Sequence, residues 1–131
     1  MYSLLKPFIF KIDPEMAHDL AIKSLKYNFL PEEIFRVENE TILETKIFNT
    51  TIKNPIGLAA GFDKSAEVYN SLFRFGFGFI EVGTVTPKEQ HGNPKPRVFR
   101  LENDRALINR LGFNNHGLDK VSKRLQKNPP N

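Results

Sequence analysis

Two short segments of the sequence carry residues suited to holding a flat, polar, anionic ligand. The first, residues 57–64, reads Gly-Leu-Ala-Ala-Gly-Phe-Asp-Lys and begins in an apolar stretch. Its small residues let a ring or a phosphate approach the backbone, and Lys64 offers a cation. The alternative is a tight turn in which Asp63 caps a helix and Lys64 is solvated. The segment by itself does not decide between them.

The second segment, residues 109–115, reads Asn-Arg-Leu-Gly-Phe-Asn-Asn. Its three asparagines supply hydrogen-bond donors and acceptors for a planar polar ligand, although asparagine is also common in turns. Thr84, at the end of a predicted strand, is similarly either a ligand contact or a β-forming residue.

These segments need a scaffold, and the apolar pattern predicts a βαβ unit. We predict strands at 56–60 and 79–85 joined by a helix over 66–74, which implies a parallel pair and a right-handed crossover. In α/β folds, ligands bind at the carboxyl ends of such strands. The glycines of residues 76–78 end the helix and turn the chain. They do not form a dinucleotide fingerprint, because the third glycine position is Glu81 and a strand follows.

Alternating and periodic patterns predict the remaining elements. We expect hairpins at 45–48 with 51–53 and at 97–101 with 105–108. Residues 116–127 predict a helix with three inward apolar positions: Leu118, Val121 and Leu125.

Residues 3–30 predict two short amphipathic helices. Asp13 can cap the second, Pro14 suits its first position, and Glu15 complements its positive end. One apolar stripe then follows at helical spacing: Met16, Ala17, Leu20, Ala21, Ser24 and Leu25.

Two interpretations of these helices stay open. The stripe either packs on its own domain or inserts partly at a membrane surface. Insertion would place apolar residues among the headgroups (Leu4, Leu5, Phe8, Ile9 and Phe10) and lysines near anionic lipid (Lys6, Lys11, Lys23 and Lys26).

Composition sets outer limits on the function. The chain has 131 residues, no cysteine and a net charge of +4, which is enough for one modest domain. Residues 85–131 hold ten basic residues against four acidic ones. Because these bases are spread over several elements, we predict solvated faces and no nucleic-acid partner. The three histidines are far apart in sequence, so we predict no metal site.

Five motifs together resemble class 2 (quinone-dependent) dihydroorotate dehydrogenases, the flavoenzymes of pyrimidine biosynthesis. They lie in the family's order and cover nearly the whole chain: residues 13–18, 54–64, 76–87, 94–100 and 109–114. The Asp-Pro-Glu helix region is similar to the class 2 extension that contacts membrane and quinone.

The resemblance implies an α/β fold, the first βα units of a (β/α)8 barrel. Residues 1–30 would be the helical membrane and quinone extension, and residues 31–131 the first, incomplete part of the FMN-binding barrel. Such an enzyme oxidises dihydroorotate to orotate and passes electrons through FMN to ubiquinone.

The resemblance also implies roles for individual residues. The FMN-binding residues would be Ala60, Gly61, Phe62, Asp63, Lys64 and Thr84. The substrate residues would be Lys64, Asn109, Arg110, Leu111, Gly112 and Phe113. His18 and Arg100 would belong to the quinone site.

Length sets this chain apart from a whole enzyme of that kind. A complete barrel needs roughly 250 residues, and the sequence predicts two of the eight strands. By the resemblance the catalytic base lies beyond Asn131, so we assign no catalytic residue and expect a truncated chain that is inactive alone. The alternatives are half of a split enzyme, completed by a separate C-terminal chain, or a non-catalytic membrane- or nucleic-acid-binding remnant.

The same resemblance predicts where the protein is found. We expect peripheral attachment at the cytoplasmic face of a bacterial inner membrane, or at the mitochondrial inner membrane.

Overall fold

The computed structural model describes residues 2–29 and 40–130. The predicted domain boundary at residues 30 and 31 lies outside them. The described elements, in chain order, are α1 (Tyr2–Ile9), α2 (Pro14–Lys26), β1 (Thr45–Ile47), β2 (Thr50–Ile52), β3 (Gly57–Leu58), α3 (Tyr69–Leu72), β4 (Phe79–Ile80), β5 (Val98–Leu101), β6 (Ala106–Asn109) and α4 (Leu118–Lys127). Single 3-10 turns lie at Thr41–Leu43 and Phe73–Phe75.

The predicted pair of N-terminal helices is confirmed, and so is the start of α2. The Asp13 carboxylate accepts hydrogen bonds from the backbone N–H groups of Glu15 and Met16, each at 3.0 Å. Pro14 occupies the first turn, where a missing N–H costs nothing.

The predicted stripe on α2 is only partly correct. Leu25 is buried with Val68 and Leu72, and Ile22 packs beside them. Met16 and Leu20 are instead 57% and 51% exposed. The face that docks on the domain is therefore rotated towards His18, Ile22 and Leu25, because Phe62 and α3 offer the apolar surface there.

The predicted βαβ unit is confirmed, with shorter elements. β3 and β4 pair in parallel, with Gly57 opposite Phe79 and Leu58 opposite Ile80. The helix begins at Tyr69 and not at Ala66. Ala66 has a φ of +54°, which a right-handed helix cannot include.

Both predicted hairpins are antiparallel as expected. Thr45 pairs with Ile52 in the first, and Val98 pairs with Asn109 in the second. In α4, Val121 is buried against Ala66 and Tyr69, with Leu125 packed beside them. Leu118 is 53% exposed, so its predicted inward position is wrong.

Candidate functional site

The two predicted ligand segments meet across a cavity of about 340 Å³, the loop cavity. Its lining includes most of the residues predicted for cofactor and substrate: Ala60, Gly61, Lys64, Thr84, Asn109, Arg110, Leu111, Gly112 and Phe113. Gly83, Asn93 and Asn114 complete it. The fold therefore brings together segments that are about fifty residues apart in sequence.

Backbone hydrogen bonds hold the first wall of the loop cavity at the ends of β3 and β4. The N–H of Gly61 donates to the carbonyl of Gly83 at 2.9 Å, and the N–H of Gly83 donates to that of Asp63 at 3.1 Å. A Cβ placed on Gly61 would meet nothing within 4 Å. The backbone at Gly61 therefore faces open space, which lets a ligand come close to it.

The Asp63 side chain stabilises the local backbone and does not line the loop cavity. Its buried carboxylate accepts N–H groups from Glu67 at 2.8 Å and Val68 at 2.7 Å. These bonds organise the turns before α3, but Asp63 does not cap that helix, because α3 begins only at Tyr69 and has no side-chain cap hydrogen bond. Neither Asp63 nor Phe62, both predicted to bind the cofactor, lines the loop cavity.

Lys64 points into the site instead of standing in solvent. It is partly buried and lines the loop cavity. Removal from water lowers the pKa of its ammonium group, and the Glu15 carboxylate opposes that shift. A cation held in this way is suited to an anionic ligand.

The second wall is formed by two interlocked loops at residues 91–93 and 109–114. The N–H of Asn93 donates to the carbonyl of Leu111 at 3.0 Å, and the Asn93 side chain donates to that of Arg110 at 2.6 Å. Sequence reasoning missed Asn93, whose only signal is a glycine before it and a proline after it.

Asn114 is the one residue of this wall with an unused buried group. Its side-chain oxygen is buried and has no hydrogen-bond partner. A buried acceptor without a hydrogen bond lowers the stability of the fold, and a hydrogen-bond donor on a bound ligand removes that cost.

A second cavity of about 500 Å³, the helix cavity, lies between α2, the segment after β3 and the second hairpin. His18 and Arg100, the two predicted quinone residues, both line it, together with Ile22, Val98 and Leu107. Phe62 and Asp63 face this cavity.

His18 and Arg100 also fasten the helices around the helix cavity. His18 Nε2 lies 2.7 Å from the Phe62 carbonyl oxygen, and the two rings meet edge-on with centroids 5.3 Å apart. The Arg100 guanidinium donates to the Ile12 carbonyl at 2.7 Å and lies over the Phe10 ring.

The two cavities adjoin. Four residues line both of them: Gly61, Lys64, Leu111 and Asn114. Two ligands bound there would be separated by little more than one layer of side chains.

A buried ion pair lies beside the wall between the cavities. Arg97 donates through Nε to Glu15 Oε1 at 3.1 Å, and its Nη2 contacts the same oxygen at 2.5 Å. The Arg97 hydrogen bond lowers the pKa of the Glu15 carboxyl, and Glu15 raises the pKa of Arg97. Arg97 lies in one of the five motifs, at residues 94–100, but its sequence position alone indicates no role.

Comparison with known proteins identifies the family. A family model described as dihydroorotate dehydrogenase matches residues 42–131. The dihydroorotate dehydrogenase (quinone) of Bradyrhizobium diazoefficiens is 54% identical over 94% of this chain and 33% of its own length. The mitochondrial dihydroorotate dehydrogenase (quinone) of Mus musculus is 50% identical over 88% of this chain and 29% of its own.

A solved structure agrees with these matches. The crystal structure of DHODH from Eimeria tenella in complex with ferulenol superposes with a TM-score of 0.80 and 51% identity. It covers 88% of this chain and 30% of the other. The resemblance drawn from the motifs is confirmed, and the chain spans about a third of the length of the curated relatives it matches.

Proposed function

We propose that this chain, which belongs to the dihydroorotate dehydrogenase family, forms the N-terminal part of a quinone-type enzyme. Its βαβ unit begins a (β/α)8 barrel, its loop cavity is one wall of the flavin and dihydroorotate site, and its helix cavity admits quinone. The observation that carries the proposal is that most residues expected at flavin and dihydroorotate line the loop cavity, whereas His18 and Arg100, expected at quinone, line only the adjoining helix cavity.

The loop cavity suits FMN by the chemistry of its donors. The bare backbone at Gly61 accepts a flat ring at close range, and Thr84 and Lys64 add a hydroxyl and a cation. The unpartnered buried oxygen of Asn114 suits a ligand N–H. FMN, when bound, supplies the hydride-accepting chemistry, while this chain's residues hold and orient it.

The same cavity suits dihydroorotate or orotate beside the flavin. The substrate carries a carboxylate, for which Lys64 and Arg110 are the cations of the lining, and ring amides that pair with asparagine side chains. Asn109 and the residues up to Phe113 line the opposite wall.

The helix cavity suits ubiquinone, a molecule with an apolar tail and a polar ring. Ile22, Val98 and Leu107 supply apolar lining, and His18 and Arg100 supply polar groups for the quinone oxygens. The cavity adjoins the loop cavity at Lys64 and Asn114, which gives electrons a short path.

The N-terminal helices suit peripheral attachment to a membrane. Leu4 and Phe8 on α1 and Met16 and Leu20 on α2 are strongly exposed. Among the described residues, no helix has the length and apolar character needed to span a bilayer. We propose insertion of these side chains at the surface of a bacterial inner membrane, on its cytoplasmic side, or of a mitochondrial inner membrane.

The 131-residue chain is proposed to need more protein for turnover. Within the described part, β3 and β4 pair only with each other and leave their outer edges open. In a closed barrel, every strand pairs with a neighbouring strand on each side, so further strands are needed to cover these edges. We assign no general base to this chain, and proton removal from carbon requires one.

Complementation tests this proposal. The chain is mixed with the C-terminal two thirds of the Bradyrhizobium relative, and each part is also assayed alone. We expect a flavin absorption band that survives gel filtration, and dihydroorotate-dependent quinone reduction, only in the mixture. Turnover by the chain alone would refute the need for a second part, and no flavin retention by a folded mixture would refute the site.

A split enzyme and a non-catalytic remnant remain the two alternatives within this proposal. Restored turnover in the mixture favours a half-enzyme. A chain that binds anionic vesicles or DNA at low salt, and gains no flavin in the mixture, favours the remnant.

A further inference from the structure

We propose that Arg97 is a positioning residue. It fixes the second wall of the loop cavity, whose residues 109–114 form the proposed substrate wall, and couples that wall to α2 through Glu15. The inference rests on the proposed function of the loop cavity as an orotate site. The hydrogen bonds of the Arg97 side chain go to Glu15 and to carbonyls of His91, Asn93 and Leu111. Arg97 acts on the second wall from behind.

Arg97 uses the guanidinium fork to hold three segments at once. It is 6% exposed. Its Nη1 donates to the carbonyls of His91 at 2.6 Å and Asn93 at 3.0 Å, and approaches that of Leu111 at 3.5 Å. Its Nε and Nη2 are directed to Glu15. Lysine carries the same charge but cannot make this set of contacts.

The loop held by Arg97 supports the substrate wall through direct contact. The Asn93 backbone and side chain bind the carbonyls of Leu111 and Arg110. In addition, the Arg110 N–H donates to the Arg97 carbonyl at 2.8 Å. Hydrogen bonds from Asn93 therefore support the wall at residues 109–114, and hydrogen bonds from Arg97 hold residues 91–93 in turn.

Two glycines show how closely the loops are packed. A Cβ on Gly92 would lie 2.1 Å from the Leu111 oxygen and 2.6 Å from Arg97 Nη1. A Cβ on Gly112 would lie 2.8 Å from the Asn93 nitrogen. Packing this tight transmits a displacement of one loop to the other, because there is no free space to absorb it.

Glu15 extends the connection to the N-terminal helices. It belongs to the first turn of α2 and lines the helix cavity, whereas Asn93 lines the loop cavity. A movement of the start of α2 therefore reaches the substrate wall through the ion pair of Glu15 with Arg97, beside which Lys95 Nζ lies 3.5 Å from Glu15 Oε1. This makes the quinone side and the substrate side of the site mechanically dependent on each other.

The test compares the full chain with Arg97→Lys, Glu15→Gln and the control Arg105→Lys. Arg105 is exposed in the turn between β5 and β6. Amide hydrogen exchange of the chain is read by segment, and orotate affinity is measured by titrating its mixture with the C-terminal two thirds of the Bradyrhizobium relative. For Arg97→Lys we expect about tenfold faster exchange at residues 91–93 and 109–114, and about tenfold weaker orotate binding, from the lost charge-assisted bonds. Exchange in the β1–β2 hairpin should not change.

A double-mutant cycle separates positioning from a general loss of stability. Asn93→Ala removes the side-chain support of Arg110. If Arg97 acts through Asn93, the effects of Arg97→Lys and Asn93→Ala on orotate affinity are less than additive, whereas independent effects add. Glu15→Gln should speed exchange at the start of α2 and, to a smaller extent, at residues 109–114.

The outcomes distinguish this inference from the proposed function. If the mixture of the unmodified chain with the C-terminal part binds no orotate, the orotate site fails, while the exchange data still decide whether Arg97 holds the wall. Unchanged exchange at residues 109–114 in Arg97→Lys would overturn the inference. If that variant does not fold, Glu15→Gln decides, and an effect confined to α2 would overturn the coupling.

Discussion

The loop cavity and the helix cavity share four residues but are built in different ways. The loop cavity is closed by backbone: carbonyls and N–H groups of Gly61, Gly83 and Leu111 hold its walls, and glycines allow the close approach. The helix cavity is closed by side chains that dock α2, chiefly Leu25, His18 and Glu15. The first depends on local backbone geometry and the second on long-range docking, so a perturbation should act mainly on its own cavity and reach the other, more weakly, through Glu15 and Arg97.

The largest expected effect comes from breaking the loop cavity with Gly92→Ala. The added Cβ overlaps the Leu111 carbonyl, and residue 92 has a φ of +76°. We expect a loss of about 3 kcal/mol or more in the free energy of unfolding. Chemical denaturation measures it, and exchange should rise at residues 109–114 before it rises in α2.

Gly61→Ala is the matched control, since its φ is +115° and its Cβ meets nothing within 4 Å. It should cost only about 1 kcal/mol, the conformational part. Equal losses at the two positions would contradict the packing argument.

Leu25→Ala should affect the helix cavity more strongly than the loop cavity. Leu25 is buried against Val68 and Leu72, so its truncation should cost about 2–4 kcal/mol and release α2. Exchange should rise through residues 14–26 and, to a smaller extent, at residues 109–114, which Glu15 and Arg97 connect to α2. Leu20→Ala, on the exposed side of the same helix, should change stability by no more than about 0.5 kcal/mol. A similar loss from both substitutions would contradict the rotated docking face.

Acid should weaken the connection between the cavities. Because Arg97 lowers the pKa of Glu15 below its ordinary value of 4.5, the folded chain holds that proton less tightly than the unfolded chain. The Glu15 contribution is therefore complete above pH 4.5 and is lost as pH falls through the lower, folded-state pKa.

Glu15→Gln measures that contribution. At pH 7 the variant should be about 2 kcal/mol less stable than the parent, because it leaves the buried Arg97 without its charged partner. The difference should shrink below pH 4.5. A difference that is constant from pH 7 to pH 3 would show that the pair does not act as an ion pair.

The smallest effect is expected from His18→Phe. The substitution removes the contact between Nε2 and the Phe62 carbonyl and keeps an aromatic ring. We expect a loss of about 1 kcal/mol, measured by thermal unfolding. Loss of quinone binding without loss of orotate binding would sharpen the assignment of the two cavities, and the reverse pattern would contradict it.

The sequence predicted the parts of the site that depend on local chemistry. Glycine and alanine at residues 57–64 and asparagine at residues 109–115 indicate turns that leave the backbone open to a ligand, and residues 60, 61, 64 and 109–114 do line the loop cavity. The hairpins and the βαβ unit were predicted for the same reason, since alternation and turn residues act over short distances.

Other features depend on contacts that a pattern cannot reveal. The backbone at Ala66 is left-handed, so α3 begins three residues later, at Tyr69. The helical spacing of the apolar residues does not predict this conformation. The periodicity of α2 gave an apolar stripe but not the side that Phe62 would meet. Arg97 was missed because its partner Glu15 is 82 residues away in the sequence.

One measurement tests most directly the claim that the two cavities take different ligands. Backbone amide shifts of the chain, in its mixture with the C-terminal two thirds of the Bradyrhizobium relative, are recorded during separate titrations with orotate and with a short-chain ubiquinone. We predict that orotate shifts Ala60, Thr84, Asn109, Gly112 and Phe113, which line only the loop cavity, whereas the quinone shifts His18, Phe62 and Arg100, which line only the helix cavity. If both ligands shift the same residues, or if orotate shifts only the helix cavity, the division of the site proposed here is wrong.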